Sequence, residues 1–177
     1  TVISALVAAF HLVSHGGITN SQVVQVIDRE CGPLLREIRS KLGLGESALI
    51  IPSDVHDHLV DRKVLHQKHF EGAAGGNIMD PDHFGEFIKL ISVGDDGKAP
   101  WSQKAAATLF FREHVISIVK FPVGPNQVFY DLVDSLPGLA KGGRNLASRT
   151  RCKDVKSLEV LLRWYTSRKF SDSNCAH

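Results

Sequence analysis

The alternation of apolar and polar positions divides the chain into a helical first half, a strand-rich stretch and a closing helix. Residues 1–14 carry small and branched apolar side chains on nearly every side, broken at Ser4 and His11, which is the pattern of a buried helix. Gly16-Gly17 ends it. Thr19-Asn20-Ser21-Gln22 then fits a capping box, and Val23, Val24, Ile27 and Cys31 continue an apolar face from that cap. Gly32-Pro33 predicts a break or kink, because proline removes an intrahelical donor and crowds the preceding turn. A second, turn-rich helix would carry Leu34, Leu35 and Ile38 up to Gly43.

Residues 48–51 read as a short strand ending at Pro52, and Ser53-Asp54 as the cap of a short helix through Leu59. The stretch 64–79 is irregular and contains Gly72-Ala73-Ala74-Gly75-Gly76. Asp80-Pro81 opens a helix with the stripe Phe84, Phe87, Ile88 and Ile91. The period then changes. Residues 108–121 are rich in Phe, Val and Ile, and residues 128–133 follow a turn-forming Pro122-Val123-Gly124-Pro125-Asn126, which predicts an antiparallel hairpin. Leu136-Pro137-Gly138 closes the second strand and residues 147–152 read as a further strand. Asp154 caps a final helix, 155–167, whose apolar side includes Val155, Leu158, Leu161, Leu162 and Tyr165.

Helices first, an antiparallel sheet next and a terminal helix last predict an α+β domain rather than a doubly wound sheet. With 177 residues, 43% of them apolar and 23% charged, the chain suits a single core spanning 1–177, with a frayed tail from about residue 170. A net charge of +2 selects no partner class. Cys31, Cys152 and Cys175 are too few and too irregular for a disulfide scaffold or a four-thiolate zinc site. They suit an intracellular location, the cytoplasm first and the nucleus as alternative. The apolar run at the start meets His11 and His15 well short of spanning length, so no membrane partner is expected.

The sharpest chemical arrangement joins Arg112-Glu113-His114-Val115-Ile116-Ser117-Ile118 to Phe129-Tyr130-Asp131-Leu132-Val133-Asp134-Ser135-Leu136-Pro137. A hairpin brings His114, inside the first strand, to Asp134, at the end of the second. An acid there fixes the imidazole tautomer while the other ring nitrogen faces a nucleophile. The plainer account gives His114 a structural hydrogen bond and makes Asp134-Ser135-Leu136-Pro137 an ordinary turn.

These segments resemble the histidine and orienting-acid half of papain-like deubiquitinases, particularly those of Josephin type. The resemblance implies a helical lobe packed on an antiparallel sheet, with His114 as general base and Asp134 as the residue that orients it, Asp131 being the fallback. It implies thiol hydrolysis of a peptide or isopeptide bond, with a protein substrate or ubiquitin-like protein as partner and no cofactor. It also demands a cysteine at the start of a long buried helix, where helix-terminal N–H groups lower the thiol pKa and supply oxyanion donors. The helix is expected at Thr1-Val2-Ile3-Ser4-Ala5-Leu6, so the nucleophile is expected immediately before Thr1. The alternatives are a catalytically inactive papain-like binding module and an unrelated α+β interaction domain.

Other candidates carry less. Cys31 continues an apolar stripe and reads as a core thiol, Cys152 follows the histidine in chain order, and Cys175 lies in the tail. Thr1 as an N-terminal nucleophile would need a rigid sheet position. His11 with His15, and His56 and His58 with His66 and His69, lack a recognised ligand spacing, so no metal is expected. The glycine-rich stretch 72–76 has no Gly-Lys-Ser/Thr ending, which argues against a phosphate loop. Arg144, Arg149, Arg151, Lys153 and Lys156 form a basic set interrupted by Asp154 and Glu159, read as a solvated face with no specific nucleic-acid motif. Trp164 and Tyr165 are expected to pack the last helix, an exposed aromatic pair being the partner-site alternative. Oligomeric state is not legible.

Overall fold

A computed structural model describes residues 19–48, 50, 52–63, 76–93, 104–111, 114–125, 127–134 and 148–168. Among them, in chain order, are helices α1 (Asn20–Leu42), α2 (Pro52–Asp61) and α3 (Pro81–Val93), strands β1 (Ala105–Phe111), β2 (His114–Gly124), β3 (Gln127–Asp134) and β4 (Ser148–Cys152), and helix α4 (Val155–Arg168). The four strands form an antiparallel meander in the order β1-β2-β3-β4. The α+β expectation therefore holds. No described helix is long and apolar enough to cross a membrane.

The helices divide between the two faces of the sheet because successive strand residues point to opposite sides. On one face Val119 and Phe121 of β2 and Val133 of β3 pack against Ile27, Cys31, Leu34 and Ile38 of α1 and Val55 and Leu59 of α2. On the other, Ile116, Ile118, Tyr130, Leu132 and Cys152 pack against Phe84, Ile88 and Ile91 of α3 and Leu158, Leu162 and Tyr165 of α4. Full burial of one such aliphatic side chain is worth about 1.5–3 kcal/mol.

Local chemistry explains the helix ends. Gln22 N–H donates to Thr19 Oγ1 and Thr19 N–H to Gln22 Oε1, completing the expected capping box. Gly43 closes α1 in the left-handed region with φ 64°, where a Cβ is unfavourable. Asp80 Oδ1 accepts from the N–H groups of Asp82 and His83 to start α3, and Asp154 Oδ1 from Ser157 to start α4. The α3 carboxyl end meets Lys120, whose buried Nζ donates to Ser92 O at 2.5 Å, a cation at the negative end of the helix dipole.

Three expectations are corrected. Gly32-Pro33 does not break the first described helix: α1 runs through Pro33. Pro33 and Arg29 are both exposed, so the Arg29 carbonyl left without a helical donor faces water, while buried Cys31, Leu34 and Ile38 hold the helix to the core on both sides. The apolar stretch 108–121 is not one strand. It is shared between β1 and β2, with Phe111 paired to His114 and Leu109 to Ile116. Ala48 and Ile50 lie outside any strand, with Ala48 O accepting from the Arg39 guanidinium instead. The helix expected over 1–14 and the tail from 170 lie outside the described residues.

Candidate functional site

The candidate site is at one end of the sheet, where β2 begins at His114 and β3 ends at Asp134. The register pairs Ile116 with Asp134. His114 precedes Ile116 by one strand period, so the two candidate positions fall on the same face, one diagonal step apart. Such diagonal neighbours are separated by about 7–8 Å, within reach of long side chains. Ser148, the first residue of β4, lies opposite Asp134 on its other flank.

Asp134 is fully buried. Tyr165 of α4 hydrogen-bonds to its carboxylate and to the Ser148 side chain. Burial, with the Asp134 charge second, pushes the Tyr165 phenol up to about 12, so it stays protonated and donates to the carboxylate at ordinary pH. A carboxylate accepts at about four lone-pair positions, and a phenol occupies one of them without neutralising the charge.

Asp131 sits differently. It pairs with Val119 on the opposite face of the sheet from Asp134 and the His114 position. Its carboxylate takes a two-point ion pair from Arg151, Nε to Oδ1 at 2.7 Å and the second guanidinium nitrogen to Oδ2 at 2.8 Å, with Arg149 Nε 3.6 Å from Oδ2. The Arg151 guanidinium also lies 5.4 Å from the Phe129 ring centre and 5.8 Å from that of Phe121. Asp131 thus does not fit the fallback role beside His114. The same pairing splits the expected basic face, since Arg149 and Arg151 turn to Asp131 while Lys153 and Lys156 lie near the Asp154 cap.

Both described cysteines are buried. Cys31 lies inside α1 rather than at a helix start. Burial, then the charges of Asp131 and Asp154, push the Cys152 thiol up, opposite to what a nucleophile needs. Cys175 and Thr1 lie outside the described residues. His58 is buried with neither ring nitrogen hydrogen-bonded, its Nε2 standing 3.5 Å from Glu37 Oε1, while His56 Nδ1 meets Asp57. His11, His15, His66 and His69 lie outside the described residues, and among those described no cluster of His, Cys, Asp or Glu is arranged to hold a metal. Of the glycine-rich stretch only Gly76 is described; it packs so closely on His83 that a Cβ would stand 2.8 Å from that ring.

The Trp164 and Tyr165 rings meet edge to face, with centroids 5.3 Å apart, but differ in exposure. Tyr165 is buried and bonded to Asp134, whereas Trp164 is exposed. The role of Tyr165 escapes a reading of periodicity alone, which treats it as packing; the signal available was that a buried phenol needs a hydrogen-bond partner. No family model, curated protein or solved structure matches this chain.

Proposed function

We propose that this domain is a papain-like thiol hydrolase that cleaves a peptide or isopeptide bond at an extended protein tail, a ubiquitin-like carboxyl terminus being the substrate class. The observation that carries the reading is the strand register, which sets His114 and Asp134 on one face at one end of the sheet, the relation expected of a base and its orienting acid. His114 takes the proton of a cysteine directly before Thr1, and the thiolate attacks the carbonyl carbon. The imidazolium returns that proton to the leaving amine as the carbon–nitrogen bond breaks. Water, deprotonated by the same imidazole, then releases the acid from the thioester. Asp134 fixes the tautomer and stabilises the imidazolium, itself held by Tyr165.

A second reading is favoured by the burial of both described thiols: without an upstream cysteine, the scaffold is an inactive protein-binding module. One experiment separates the two. The full-length protein is treated with a ubiquitin-tail electrophile, and the adduct is located by peptide mass spectrometry. An adduct on a cysteine directly before Thr1, lost on His114→Ala, is the expected result. A folded full-length protein with no cysteine there and no adduct overturns the hydrolase in favour of the binding module.

A further inference from the structure

We infer that the outward face of α4 docks an acidic, apolar-anchored segment of a partner protein. Lys156, Val160, Arg163, Trp164 and Ser167 are all exposed and recur at helical spacing along one stripe. Leu158, Leu162 and Tyr165 occupy the inward side. Val160 is 69% and Trp164 47% exposed, so two large apolar groups one turn apart face water.

Single exposed apolar residues are ordinary; the cations around this pair set it apart. The Arg163 guanidinium lies 4.4 Å from the Phe84 ring centre, stacked against buried Phe84 of α3, and no carboxylate among the described residues pairs with it. This contact with Phe84 restrains the guanidinium, which lowers the side-chain entropy lost on binding. Trp and Arg are also the side chains in which interface hot spots are enriched.

Charge selects the partner. Within α4 Glu159 is the only acidic residue, against Lys156, Arg163 and Arg168, and Lys153 stands just before the helix. Asp154 is turned to the Ser157 N–H and hydroxyl. A segment bearing carboxylates around a leucine or phenylalanine anchor complements this stripe. A second copy does not, because a two-fold pairing of this face would set Lys156 of each copy against Arg163 of the other, cation against cation. A lipid surface calls for a broader apolar face than Val160 and Trp164 supply.

The test titrates the full chain into a fluorescein-labelled synthetic peptide. Leucine and phenylalanine recur in it at helical spacing on a glutamate background, and a peptide with lysine for glutamate is the control. Saturable binding of the acidic peptide alone is expected. Trp164→Ala and Arg163→Glu should each weaken it by roughly tenfold, and salt should weaken it further. Circular dichroism of Trp164→Ala should match the parent and its melting temperature should fall by no more than a few degrees, because the side chain is half exposed and loses only its edge contact with Tyr165. Absence of binding, or equal binding by both variants and the parent, overturns the inference. So does Trp164-dependent capture by phosphatidylserine vesicles or Trp164-dependent dimerisation without peptide binding; these would reassign the face to a membrane surface or a second copy. None of these outcomes depends on the hydrolase reading.

Discussion

The two faces of the sheet each bury a carboxylate from β3 and present it with different donors. On the α1/α2 face Asp131 is locked by the Arg151 guanidinium, with Arg149 behind it and the Phe121 and Phe129 rings beside it. On the α3/α4 face the described bond to Asp134 comes from a neutral phenol. A two-point ion pair uses a carboxylate's charge and geometry together, whereas a phenol donates one hydrogen bond and leaves the charge. On the proposed reading the first is a structural acid and the second orients a base, although the two lie three residues apart in the same strand.

The largest expected effect would break this contrast at Asp134. Asp134→Ala should lower the rate of thiol labelling by about 10²- to 10⁴-fold, measured with the ubiquitin-tail electrophile. Asp134→Asn should recover part of that loss, since in a Cys-His-Asn arrangement the amide oxygen accepts from the imidazole. Asp131→Ala should instead act on stability, costing about 2–4 kcal/mol in urea unfolding. Breaking a buried pair costs about 3–5 kcal/mol, and the cost is lower here because Arg151 is 44% exposed and regains water.

Tyr165 sharpens the comparison through pH. Its folded pKa of about 12 lies above the ordinary phenol value of about 10. A raised pKa contributes stability that is fully present below pH ~10 and is lost as pH rises through about 12. The shift corresponds to about 3 kcal/mol. Tyr165→Phe should cost about 1–2 kcal/mol at neutral pH, since Asp134 loses a donor, and should flatten the alkaline decline in an unfolding series run from pH 9 to 12. The smallest effect belongs to Trp164→Ala, expected to cost about 0.5–1 kcal/mol by the same urea measurement, through its edge contact with Tyr165.

Much of the fold was legible because local chemistry and period agreed. The Thr19 box, the Asp80-Pro81 start, the Asp154 cap and the stripe of α4 all appear where the residues predict them. The misses have physical causes. Pro33 reads as a breaker, but on the wet side of an anchored helix it removes one hydrogen bond and no more. Arg112-Glu113 carries no Gly, Pro or Asn turn chemistry, so the β1–β2 reversal is hidden inside one apolar run. Trp164 and Tyr165 do pair edge to face, but adjacent helical residues are about 100° apart, so Tyr165 is buried while Trp164 stays half exposed. At the candidate site, strand alternation placed His114 and Asp134 together from sequence. It also separates Asp131 from Asp134, since residues an odd number apart point to opposite faces. The partners of each acid, Arg151 and Tyr165, come from strand and helix positions that only the assembled fold brings near.

The most direct test of two acids with two roles measures electrophile-labelling rate and thermal midpoint together for Asp131→Ala and Asp134→Ala in the full-length protein, at a temperature where both are folded. The account predicts that Asp134→Ala loses labelling by at least about 100-fold, and that Asp131→Ala labels at near the parental rate while melting at a clearly lower temperature. Loss of labelling in folded Asp131→Ala, or undiminished labelling in Asp134→Ala, would contradict it.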